Sequence, residues 1–195
     1  INCIGILINS SNLKPENAIY INAYMPHMLM NLCNKIKSKL IHISTDCVFS
    51  GEKQSPYNEL DYRDGKDIYA KTKGLGEIVN NNHLTLRTSV VGPELKINGE
   101  ELFHWFMNQK GEINGFTKAI WSGVTSLVLA KVVYWAIKNN INGLYHVTNN
   151  KSIDKYSLLK LIKKYTMKDI KIKPLEGKQI NKSFRDTRQE LSFEI

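Results

Sequence analysis

The chain has 195 residues, 42% hydrophobic and 23% charged, a composition that suits a folded domain, and no apolar run reaches the roughly 20 residues of a membrane-spanning helix. Its net charge of +9 rests mainly on lysine. Only Arg63, Arg87, Arg185 and Arg188 carry the planar fork that reads bases, so neither nucleic acid nor membrane is expected as a partner.

Residues 1–7, INCIGIL, form a continuous apolar run, as expected of a strand buried on both faces. A helix is predicted from about 15 to 37, with Pro15 in its first turn. KLIHIS, residues 39–44, reads as the next buried strand, and a polar loop with Gly51, Pro56 and Gly65 follows. A helix from 67 to about 80 and the strand LTLRTSVV, residues 84–91, complete an alternation that calls for a parallel sheet with crossover helices. Beyond Gly92 a helix is expected near 100–108, carrying Phe103, Trp105 and Phe106. The next helix, about 125–138, shows an apolar stripe at Leu127, Ala130, Tyr134 and Ile137. GLYHVT, residues 143–148, is a short strand. A helix over 153–165, with Tyr156, Leu159 and Ile162 inward, precedes the strand DIKIKP, residues 169–174.

Residues 151–195 hold twelve basic and six acidic residues, so +6 of the +9 sits there. A solvated helix face explains that excess, and a cradle for an anionic substrate is the alternative. The three cysteines, Cys3, Cys33 and Cys47, form no C-x-x-C pair, and the five histidines are scattered. No disulfide framework and no metal centre are expected, and the pattern fits a reducing cytoplasm.

Chemistry concentrates at two places. Ser44, Thr45 and Asp46 follow a buried strand, where ligands of parallel sheets bind. Tyr69 and Lys73 are four residues apart and so share one face of the next helix. Taken in order, INCIGIL, STDCVFSG, YAKTKGLGE, LRTSVVGPE, GLYHVTNN and NKSFRDTR resemble the extended short-chain dehydrogenase/reductases. The match is to their dTDP-4-dehydrorhamnose reductase branch, which acts on nucleotide-activated sugars.

That resemblance implies an α/β fold: a Rossmann-like, doubly wound parallel sheet with a smaller, interleaved α/β substrate lobe. Residues 1–92 and about 116–147 would form the NAD(P)-binding lobe, and about 93–115 and 148–195 the sugar-nucleotide lobe. The implied activity is NAD(P)H-dependent reduction of a nucleotide-activated 4-keto-deoxysugar in surface polysaccharide biosynthesis, with NADPH or NADH as cofactor. A cytoplasmic location and a homodimer go with it.

Thr45, Tyr69 and Lys73 match the branch's catalytic triad in type and spacing. A free phenol has a pKa of about 10, so a neighbouring ammonium is expected to lower it and make Tyr69 the proton donor. Thr45 would hold the carbonyl oxygen. Cys3, Ile4, Gly5, Ser44, Thr88 and Ser89 match cofactor contacts, together with Tyr69 and Lys73, and Asn22 matches an asparagine that supports the lysine through water. Asp46, Val48, Phe49, Trp121, Arg185 and Arg188 match the substrate side.

Two departures stand out. Cys47 replaces the tyrosine usual after Ser-Thr-Asp. The glycine-rich phosphate loop is missing, since GLGEIV from Gly74 lies within the Tyr69 helix. The family's first β-α-β portion is therefore expected to be absent from these residues. An epimerase of the same family, or a non-catalytic binding or regulatory subunit, remains open.

Overall fold

A computed structural model describes residues 1–96 and 99–188. After an extended start come α1 (Ile8–Leu13), α2 (Pro15–Ala18), a π-helical stretch (Ile19–Tyr24) and α3 (Met25–Lys35). Strand β1 (Ile41–Thr45) leads through a 3-10 turn (Asp46–Val48) and a long loop to α4 (Ile68–Leu75). Then follow β2 (Leu84–Thr88), β3 (Val90–Val91), α5 (Leu102–Asn108), β4 (Glu112–Phe116), β5 (Ala119–Trp121) and β6 (Val124–Thr125). The chain continues through α6 (Ser126–Lys138), β7 (Gly143–His146), β8 (Ile153–Asp154), α7 (Lys155–Thr166), β9 (Lys171–Leu175) and β10 (Ile180–Asn181).

β1, β2 and β7 form a parallel sheet in that order, with Thr45 level with Thr88. All three strands therefore deliver their carboxyl ends to one edge. The fold is α/β with parallel sheets, as expected. β3 pairs with β6, β4 with β9, and β5 with β10 and β8. The sheet core holds Leu84, Leu86, Val132, Ala136 and Val147, and a second core gathers Phe106, Trp121, Leu158, Leu159 and Ile170. Among the described residues no helix is long and apolar enough to cross a membrane.

Several expectations are corrected or refined by the structure. The run 1–7 is not a buried strand. Only Asn2 pairs with β1, giving its N–H to the Ile41 carbonyl at 2.7 Å and accepting from Ile43 N–H at 3.0 Å, while Ile1 and Ile4 are exposed. Apolar sequence buries a strand only where neighbours cover it, and no described residue pairs beyond Asn2.

The helix expected from about 15 begins at Pro15, in its first turn, after a separate short helix α1, but it is not uniform. Pro26 has no N–H to give to the Asn22 carbonyl one turn back. The ladder widens there, and Met25 N–H reaches Tyr20 O. The freed carbonyl faces Gly76, where an added Cβ would come within 1.9 Å of it.

The α6 stripe is on the wrong side. Leu127, Ala130, Tyr134 and Ile137 are exposed, and Val132, Val133 and Ala136 face the sheet. This helix is apolar on both sides, so periodicity alone could not choose between them. The strand 84–91 also divides: β2 stays in the main sheet, and β3 leaves it to pair with β6.

His42 and His146 are fully buried in the sheet. Burial pushes His42 down to about 3 and also lowers His146. The unfolded chain takes up these protons near the ordinary histidine value of about 6.5, which the folded chain does only at much lower pH. Stability should therefore fall as pH drops below that value, by up to about 1.4 kcal/mol per pH unit for each histidine. Urea midpoints measured from pH 8 to pH 5 would show this, and a flat profile would contradict it.

Candidate active site

The edge where β1 and β2 end borders a cleft of about 510 Å³. Thr45 ends β1 and caps the following turn, its hydroxyl accepting from Cys47 N–H at 3.1 Å and donating to the Asp46 carboxylate at 3.2 Å. Asp67 caps α4 by accepting from Ala70 N–H at 2.7 Å, which fixes the first turn where Tyr69 sits. Lys73 lies one turn on. Its ammonium donates to the Ile43 carbonyl at 2.8 Å and so crosses from helix to strand.

Every residue expected to meet the cofactor lines this cleft: Cys3, Ile4, Gly5, Ser44, Tyr69, Lys73, Thr88 and Ser89. Thr45, Asp46 and Cys47 join them. Asn22 clamps the Ile6 backbone through both its side-chain atoms, at 2.8 and 2.9 Å, and donates to the Thr72 hydroxyl at 3.3 Å. It thereby holds the segment that brings Gly5 against Lys73. A Cβ on Gly5 would lie 3.5 Å from Asn22 Oδ1 and 4.0 Å from Lys73 Nζ, so glycine keeps this wall low.

Electrostatics set the protonation states. Burial lowers Lys73 to about 8, opposed by the charges of Glu77 and Cys3. Burial also raises the Tyr69 phenol, helped by Cys47, Asp46 and Glu101, while its hydrogen bond with Thr45 works the other way. The expected lowering of Tyr69 by Lys73 is absent from this arrangement, in which the ammonium is turned to the Ile43 carbonyl. The phenol keeps its proton. The Cys47 thiol is pushed up to about 12, first by burial and then by Asp46.

The residues expected on the substrate side are more scattered. Asp46 lines the cleft, but Val48 and Phe49 are buried with Tyr57 and Phe184, the Phe49 and Tyr57 rings stacking 4.1 Å apart. Trp121 packs in the second core and donates from its indole to Ser89 Oγ at 2.6 Å. Arg185 is exposed, and the Arg188 guanidinium lies 5.6 Å from the Tyr145 ring centroid, away from the cleft.

Sequence reading missed Glu101, which lines the cleft, and Lys155 and Lys182, which act on the charges of Asp46 and Cys47. Lys155 also stands 5.0 Å from the Trp121 ring centroid. Glu101 and Lys155 lie outside the motifs, and Lys182 stands within NKSFRDTR, where no local pattern marks it as facing the cleft. The described residues contain no cluster of three acidic, histidine or cysteine side chains that could hold a metal.

Residues 9–191 match the model of the RmlD substrate binding domain. The spore coat polysaccharide biosynthesis protein SpsK of Bacillus subtilis is 31% identical over 139 residues, 69% of this chain and 49% of that protein. The dTDP-4-dehydrorhamnose reductase of Escherichia coli is 26% identical over 80% of this chain and 55% of its own length. The chain thus spans about half the length of these curated relatives. Among solved structures, a dTDP-4-dehydrorhamnose reductase from Clostridium acetobutylicum superposes with a TM-score of 0.85 at 24% identity, covering 98% of this chain and 72% of that one. The Bacillus anthracis reductase, solved in complex with NADP, gives 0.85 at 21% identity, covering 99% of this chain and 73% of that one.

Proposed function

The chain belongs to the RmlD substrate binding domain family, and from that premise we propose that it carries the catalytic and sugar-handling part of an NADPH- or NADH-dependent reductase. Its substrate would be a nucleotide-activated 4-keto-deoxysugar. The carrying observation is the convergence of Thr45, Tyr69 and Lys73 on one cleft whose opposite wall is Gly5. Its relatives, a dTDP-4-dehydrorhamnose reductase and a spore coat polysaccharide biosynthesis protein, support the substrate class and a role in polysaccharide synthesis.

The residues fit a nicotinamide nucleotide. The cleft wall at Cys3, Ile4 and Gly5 is exposed or free of a side chain, and the Lys73 ammonium can leave the Ile43 carbonyl for a ribose hydroxyl. When bound, the cofactor supplies hydride to the carbonyl carbon. Thr45 orients the carbonyl oxygen and stabilises the charge that develops on it. Tyr69 gives that oxygen its proton, and Lys73 compensates the phenolate left behind. Lys155 and Lys182 would face the sugar from the other lobe.

The test is reduction of dTDP-4-dehydrorhamnose with NADPH and with NADH, by the chain alone and by the chain fused behind the N-terminal portion of the E. coli relative. Loss of reduced cofactor with gain of two hydrogens in the sugar supports the reading. A folded fusion that binds neither cofactor nor sugar overturns it. Isomerisation without net oxidation of the cofactor would select the epimerase alternative.

A further inference from the structure

A buried polar hub joins the three elements that carry the site. The Glu77 side chain lies just past α4, with its carboxylate sealed from solvent. Its Oε1 accepts from Ser44 Oγ at 2.6 Å and from Arg87 Nε at 2.8 Å. Its Oε2 accepts from Arg87 Nη2 at 2.7 Å and from Arg63 Nη1 at 3.0 Å, and the same Arg63 nitrogen donates to the Gly74 carbonyl of α4 at 2.6 Å. Ser44 is next to Thr45 and Arg87 is next to Thr88. Ser44, expected to contact the cofactor, therefore has its hydroxyl committed to Glu77.

We propose that Glu77 is a positioning residue: its carboxylate ties the helix that carries Tyr69 and Lys73 to the strand ends that carry Thr45 and Thr88, and supplies the counter-charge to the Lys73 ammonium. Tyr69 and Lys73 are called catalytic on the functional reading above, but the hub and its test stand without it. A carboxylate with four charge-assisted or hydroxyl donors fixes distances that a helix packed by apolar contact alone would leave free to slide. Lys73 is held by one carbonyl in a buried setting that disfavours its charge. Glu77 lies four residues beyond it and offsets that penalty. The other titratable groups facing Lys73 are Cys3 from the N-terminal segment and His42 from β1, with Tyr69 one turn earlier on α4.

The experiment is the pH dependence of Lys73 acetylation by acetic anhydride, read by peptide mass spectrometry on the full chain. The wild-type midpoint is expected at about 8. Glu77→Gln keeps the shape and removes the charge, so its midpoint should move to roughly 7. Glu77→Asp keeps the charge and should return it to about 8. If Glu77→Gln does not fold, the Glu77→Gln/Arg87→Gln double variant is compared with Arg87→Gln alone, so that the carboxylate is the only charge that differs, and the double variant is expected to have the lower midpoint.

A folded Glu77→Gln chain with an unchanged midpoint, or a folded double variant whose midpoint equals that of Arg87→Gln, overturns the proposal, because a merely structural residue would leave it there. So does failure of Asp to restore it. A shifted midpoint in a chain without reductase activity would leave this inference standing and defeat the functional reading. An unchanged midpoint in an active reductase would do the reverse.

Discussion

Replacing Tyr69 with Phe should lower kcat for sugar reduction by about 10³-fold while the fold and cofactor affinity persist, the range a positioned general acid contributes. The side chain is buried at the cleft and only its hydroxyl is removed. It loses its polar contact with Thr45. In the parent, burial and neighbouring acids keep the phenol protonated. Steady-state kinetics on the fusion described above, with circular dichroism as the control for folding, would decide this. A Phe variant within tenfold of the parent would remove Tyr69 from the chemistry.

The second large effect is on stability. Arg87→Met should cost about 3–5 kcal/mol, because it leaves the Glu77 carboxylate buried with too little compensation. Burial alone would push Glu77 up, but the Arg87 bonds and charge, with Ser44 and Arg63, hold it below the usual carboxylate range. Arg87 also gives a hydrogen bond to His146 Nε2 at 3.0 Å and stands 5.0 Å from the Phe49 ring centroid, so its loss loosens β7 and the Phe49 cluster together. Arg63 cannot take over, since its side chain is 43% exposed and reaches only Oε2. For a chain of this size the change corresponds to a fall in Tm on the order of 10 °C. Thermal and urea unfolding would measure it, and a loss below about 1 kcal/mol would show that the hub is not a stabilising centre. Changing Glu77 to Leu in the same chain should recover part of the loss, because apolar replacement of a whole buried pair is far cheaper than stranding one charge.

These effects were unevenly legible in advance. Glu77 stands in the quoted motif YAKTKGLGE and Arg87 in LRTSVVGPE, yet nothing in either marks them as partners. Ser44 looked like a ligand contact because it ends a strand in a hydroxyl. Only the packing of α4 on β1 shows that this hydroxyl points to Glu77. Phe49 was expected near the sugar from the family resemblance, but the turn at Asp46–Val48 carries it inward, onto Tyr57.

By itself the sequence determined the alternation of strands and helices, the parallel sheet, and the cluster of Thr45, Tyr69 and Lys73. The alternation, the sheet and the shared face of Tyr69 and Lys73 follow from local rules, apolar runs and a four-residue spacing, while Thr45 joined them through the family resemblance. Tertiary structure alone decided which face of α6 is buried, where the run 1–7 leaves the sheet, and where the π-helical stretch frees the Asn22 carbonyl. It also decided that Glu101, Lys155 and Lys182 approach the cleft from distant segments. Burial and charge pairing depend on what lies across the fold, and a chain read one residue after another carries no record of that.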